Sequence, residues 1–123
     1  MKRHTFTVLT LFMVTGLAGC SHDEKIEGLK SNEILVVTLE ITDDIDVEEI
    51  RLIAKEGTDL VKGDKIRNRR KIKLKVPYKG EGTFTICVYT KTGVICSLEC
   101  YAEGGYRPGL KLTNNRFETV KWF

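Results

Sequence analysis

Lys71-Ile72-Lys73-Leu74-Lys75-Val76-Pro77 is the stretch on which the fold turns. Three apolar side chains alternate with three lysines, the period-two pattern of a strand with one face in a core and the other in water. Pro77 stops the run, because it has no amide hydrogen to give to a ladder. Downstream, Tyr78-Lys79-Gly80-Glu81-Gly82 reads as a turn, followed by strand-like runs from Thr83 to Thr90 and from Val94 to Tyr101. Lys91-Thr92-Gly93 joins these two runs. A glycine at the third loop position suits a three-residue hairpin, where it takes the left-handed conformation.

Upstream, Ile34 to Ile41 is β-branched and apolar, and Val47 to Lys55 carries Val47, Ile50, Leu52, Ile53 and Ala54. Neither run alone settles helix against strand, and the second is open to a short helix. Beyond a loop from Ala102 to Gly109 come Leu110 to Thr113 and Phe117 to Phe123, separated by Asn114-Asn115-Arg116, where paired asparagines favour a tight turn. About seven strands with polar turns between them predict an all-β chain folded as a single antiparallel β-sandwich of immunoglobulin-like or transthyretin-like type. Strand order stays open at this stage.

The hairpin constrains the cysteines. A three-residue loop puts Phe84 opposite Cys100, Ile86 opposite Leu98 and Val88 opposite Cys96, with both apolar sets on the core. Cys87 then faces Ser97 on the other side. Cys96 and Cys100 lie about 13 Å apart along one strand at ~3.3 Å per residue, too far for a bridge. The favoured expectation is that Cys96 and Cys100 are small buried hydrophobes. A bulge or a four-residue loop would instead allow a Cys87–Cys96 bridge.

At the N-terminus, Lys2 and Arg3 precede an apolar run from Phe6 to Leu17 and then Ala18, Gly19 and Cys20. This is the layout of an export signal, and the run is too short for the ~20 residues of a membrane-spanning helix. Leu17-Ala18-Gly19-Cys20 resembles the lipobox of bacterial lipoproteins. The resemblance covers residues 1–20 and implies cleavage before Cys20, attachment of diacylglycerol to its thiol and, in many Gram-negative species, acylation of the new amine. Two or three acyl chains make a stable anchor where one is marginal. Ser21, where an aspartate retains enterobacterial lipoproteins in the inner membrane, implies the outer membrane at its periplasmic face. The expected organisation is a signal at 1–19, a lipidated cysteine and polar tether at 20–32, and the sandwich at 33–123. Cleavage takes away two basic residues and no acidic one, so the net charge of +3 shrinks and the basic pI says little about partners.

The two histidines are His4, in the signal, and His22, in the tether. A domain without histidine excludes a Ser-His-Asp or Cys-His arrangement and a histidine zinc site, so no catalytic residue, metal or cofactor is expected. Asp43, Asp44, Asp46, Glu48 and Glu49 crowd one inter-strand turn, but lack the glycine and terminal glutamate of a calcium loop. Basic residues collect at Lys62, Lys65, Arg67, Arg69, Arg70, Lys71, Lys73 and Lys75 without interleaved aromatics, which argues against nucleic acid. Outward lysines guard an edge strand, or Lys71, Lys73 and Lys75 meet an acidic partner or anionic envelope glycans and lipids.

Tyr101, Glu103, Tyr106 and Arg107 sit on a glycine-rich loop and belong to residue types that carry interface energy. That loop is either a binding element or an ordinary turn with its tyrosines packed over one end of the sandwich. The expectation is an envelope binding module, joined to the membrane by lipid and to a protein partner by this loop. Immunity or inhibitor proteins and secretion accessories fit that description. A structural lipoprotein that binds glycan or lipid is the alternative class, and an enzyme the least supported.

Overall fold

The computed structural model describes residues 25–42, 44–63, 66 and 71–120. Cys20 and the basic residues Lys65, Arg67, Arg69 and Arg70 lie outside them. Among the described residues nine strands form two sheets. They are β1 (Ile34–Ile41), β2 (Val47–Ala54), β3 (Gly57–Lys62), β4 (Lys71–Pro77), β5 (Glu81–Thr90), β6 (Gly93–Cys96), β7 (Cys100–Glu103), β8 (Gly109–Thr113) and β9 (Arg116–Val120). The first sheet has the order β4-β1-β8-β9, and the second the order β3-β2-β5-β6, with β7 also on β5. The chain is the expected all-β sandwich. Within it β1 pairs with β4 and β8 rather than with β2, so the consecutive strands β1 and β2 are divided between the two sheets.

Alternation builds the core. Ile72, Leu74 and Val76 of β4 point inward as their spacing requires, and meet Leu35, Val37 and Leu39 of β1, Ile50 and Leu52 of β2, and Phe84, Ile86 and Val88 of β5. Each such side chain, fully buried, contributes roughly 1.5–3 kcal/mol. Tyr78, at the β4–β5 corner, is fully buried and donates its hydroxyl to the Thr83 carbonyl at 3.1 Å. Gly82 makes room for it, since a Cβ there would stand 2.3 Å from the Tyr78 hydroxyl.

Three features depart from expectation. β1 pairs with β8 in parallel, so the first sheet is not wholly antiparallel. β3, whose Gly-Thr-Asp-Leu-Val-Lys lacks a clean apolar alternation, forms an edge beside β2. It also serves the neighbouring sheet: Asp59 accepts a hydrogen bond from the Lys75 backbone amide at 2.8 Å, satisfying one outward donor of edge strand β4.

The third departure corrects the hairpin. Thr90 pairs with Gly93, so the loop is the two residues Lys91 and Thr92, and Cys87 comes opposite Cys96. Their Cα atoms are 4.1 Å apart and the pair forms a disulfide. The expected register returns only in β7, where Phe84 pairs with Cys100. One extra residue is absorbed between β6 and β7. Ser97 makes this possible, its amide donating to the Ile86 carbonyl at 2.8 Å and its hydroxyl accepting from the Ile86 amide at 3.0 Å. Leu98 is consequently thrown outward, 88% exposed, rather than into the core. Cys96 is exposed and bridged, and Cys100 alone keeps the place of a partly buried, core-packed thiol.

Candidate functional site

The anticipated loop is stitched to the body of the domain. Glu103-Gly104-Gly105-Tyr106 is a turn closed by the Tyr106 amide on the Glu103 carbonyl at 3.1 Å, with Gly105 at φ 86°. Gly104 is needed for a different reason: a Cβ there would stand 2.3 Å from the Asn32 carbonyl oxygen. The Tyr106 and Pro108 carbonyls then accept from the Val36 and Thr38 amides, extending the β1–β8 ladder. Arg107 bonds the Ile34 carbonyl at 2.8 Å and the Ser31 hydroxyl at 3.0 Å. Lys75 similarly donates to the Lys25 carbonyl at 2.6 Å. Two of the anticipated partner residues therefore pin the segment from Lys25 to the short 3-10 turn Ser31–Glu33 against the sandwich.

The remaining candidates fall on two different faces. Lys71, Lys73 and Lys75 lie on the outer face of the first sheet, with Lys71 beside Glu40, Glu40 beside Lys111, and Lys111 beside Glu118. Tyr101 and Glu103 lie on the outer face of the second sheet, next to Thr83 and Glu81. Tyr106 reaches back to Tyr101, ring centroids 5.6 Å apart at 75°. The structure thus brings Tyr101, Glu103 and Tyr106 together and leaves the three lysines in a separate place.

Sequence reasoning missed what surrounds the tyrosines. Cross-strand register sets Thr58, Ile53 and Thr85 in one row of this outer face, Leu60, Arg51, Cys87 and Cys96 in the next, and Lys62, Glu49, Tyr89 and Val94 in a third. Ile53, Leu60, Val94, Leu98, Tyr101 and Tyr106 are the exposed large hydrophobic residues among those described, and they gather on this sheet and its flanking loop. Leu52-Ile53 in β2 was a usable signal, because two consecutive apolar residues in a strand must place one outward. A shallow groove of about 440 Å³ runs between Ile53, Thr83, Thr85 and Glu99.

Electrostatics divides the face. At one end Glu49 is nearly buried and accepts from Lys62 at 2.7 Å and from Arg51, whose guanidinium also stacks 4.8 Å from the Tyr89 ring centre. The Lys62 hydrogen bond, then the one from Arg51, holds its carboxyl below the usual value. At the other end Tyr101 donates to Glu81 at 2.9 Å and Thr83 donates to Glu99 at 3.1 Å. That Glu81 hydrogen bond, with burial and the Glu103 charge behind it, pushes the Tyr101 hydroxyl up to about 12. Burial pushes the Cys100 thiol up.

Among the described residues no three His, Cys, Asp or Glu side chains are grouped to hold a metal ion, and no helix is long and apolar enough to cross a membrane. No protein-family model matches the chain, and neither a curated protein nor a solved structure matches it.

Proposed function

We propose that this chain is a lipid-anchored binding module of the bacterial cell envelope, held through Cys20 at the periplasmic face of the outer membrane and acting by contact with a protein partner rather than by catalysis. The anchor rests on Leu17-Ala18-Gly19-Cys20 behind an export signal. The observation that carries the binding role is the exposure of Ile53, Leu60, Val94 and Tyr101 on the outer face of the second sheet, with Leu98 exposed in the loop between β6 and β7. Single exposed apolar residues are ordinary, whereas several on one face, set among charged side chains, point to an interaction surface. Immunity, inhibitor and secretion-accessory roles all use such a surface. The contact region moves from the 101–108 loop to the whole face, of which Tyr101 and Tyr106 form one end.

The test is crosslinked capture by the full-length protein in its own membrane. Leu98→Asp should remove a discrete crosslinked product that Lys111→Glu, on the opposite face, leaves in place. Equal capture by both variants would refute the reading. Cys20→Ala should leave the protein unprocessed or release it from the membrane fraction; mass spectrometry finding an unmodified Cys20 in membrane-purified mature protein would remove the anchor.

A further inference from the structure

The two ends of the apolar face differ in how their carboxylates are satisfied. Glu49 has two cations, Lys62 and Arg51, in direct contact. Glu81, Glu99 and Glu103, exposed around Tyr101, have no cation within 4.0 Å among the described residues, and Glu81 and Glu99 accept instead from the tyrosine and threonine hydroxyls. The nearby Lys55 directs its ammonium to the Glu81 backbone carbonyl at 2.9 Å and lies 4.9 Å from the Tyr78 ring centre. Beside these carboxylates, Tyr101 and Tyr106 set two half-exposed rings nearly at right angles. Aromatic faces with adjacent carboxylates attract a cation, and a planar guanidinium satisfies both at once by stacking while it hydrogen-bonds in a fork.

We propose that the Tyr101–Tyr106 corner, with Glu81 and Glu103 beside it, receives an arginine side chain of a protein partner whose neighbouring residues are apolar. This rests on the reading of the second sheet's outer face as a docking surface, and gives its occupant a charge. The module itself supplies the pattern at the other end of the face, where Arg51 stacks on Tyr89 and bonds Glu49. An arginine from outside would repeat that arrangement at the acidic end, while its apolar neighbours cover Leu98 and Ile53. A metal ion is the poorer occupant, since the carboxylates are not grouped around one point.

The four tyrosines of the chain make the test selective, because Tyr78 and Tyr89 report on the core and on the other end of the face. Full-length protein with labelled tyrosine rings is titrated by NMR with the peptide acetyl-Leu-Arg-Leu-Trp-amide and with its neutral citrulline counterpart. The Tyr101 and Tyr106 signals should shift and saturate while Tyr78 and Tyr89 stay. Citrulline should bind about tenfold more weakly, and Glu103→Gln should weaken the arginine peptide by a similar factor, as loss of a charge-assisted contact implies. Equal binding of the two peptides, equal shifts at Tyr89, or Tyr101 shifts from calcium chloride that the peptide does not produce would overturn the inference. Partner capture lost in Leu98→Asp but untouched by Glu103→Gln overturns the arginine while the docking face stands; capture untouched by either overturns the docking face.

Discussion

The two outward faces of the sandwich solve the same problem differently. On the first sheet Lys71, Glu40, Lys111 and Glu118 stand side by side across four strands, each charge next to its opposite. Such pairs contribute ~0.2–1 kcal/mol each. On the second sheet Ile53, Leu60, Val94 and a disulfide share the outer face with Thr58, Thr85 and the Lys62–Glu49–Arg51 cluster. Solvent gains nothing from that arrangement, and each apolar side chain left in water forgoes about 25 cal/mol per Å² of burial. A face that is bridged by a covalent bond and leaves apolar side chains exposed between two charged ends is the one we propose for a partner.

Several perturbations bear on this contrast. The largest expected effect is on stability: replacing Cys87 and Cys96 together by serine opens a loop of sequence separation 9 and should lower the unfolding free energy by ~2–3 kcal/mol in urea denaturation. A loss no larger than that from a surface charge change would mean that the second face is not locked by its bridge. Next, Tyr101→Ala with Tyr106→Ala should weaken partner binding by ~2 kcal/mol, about thirtyfold, with circular dichroism and melting temperature close to the parent. Arg107 is unsuitable for that comparison, since it bonds Ser31 and Ile34 and its loss would disturb the N-terminal segment.

On the charged face, Glu40→Lys places three cations in a row with Lys71 and Lys111 and should cost ~0.5–1 kcal/mol of stability, with no change in capture. A change in capture would break the contrast. The smallest effects are those of pH. Glu49 titrates below its ordinary 4.5 when folded, so its pairing contributes above that pH and is lost as the pH falls through the lowered value. Tyr101 has its folded value raised from 10.0 to about 12, so its hydroxyl contribution is complete below pH 10 and is lost as the pH rises towards 12. Ultraviolet titration should find one exposed tyrosine ionising late, and Glu81→Gln should bring it earlier.

Legibility in the sequence followed the same division. β4 and β5 read directly because each has a core face whose alternation carries the signal, β1 read from its β-branched apolar run, and the Asn114–Asn115 turn read from residues that accept φ of 54° and 62°. What failed was held by non-local or side-chain bonds. β3 is short and carries Asp59, which looks unlike a strand residue until its bond to the Lys75 amide is seen. The Cys87–Cys96 bridge was hidden because Gly93 suggested a three-residue loop and Leu98 looked like a core residue. The Ser97 hydroxyl replaces a backbone acceptor, and nothing in the apolar pattern announces that substitution. The tyrosine pair was legible as residue types; the exposure of Val94 and Leu98 was not, since it depends on the β5–β6–β7 register, and that of Leu60 was not, since it lies on the unanticipated strand β3.

The central claim is that the outer face of the second sheet is the docking face. A photo-crosslinking amino acid placed singly at positions 53, 60 and 101, and at positions 38, 111 and 118 of the opposite face, tests it in cells that make the full-length chain. Discrete protein adducts of one common mass increment from 53, 60 and 101, with none from 38, 111 and 118, is the predicted result. Adducts from the charged face, or from both faces alike, would contradict it.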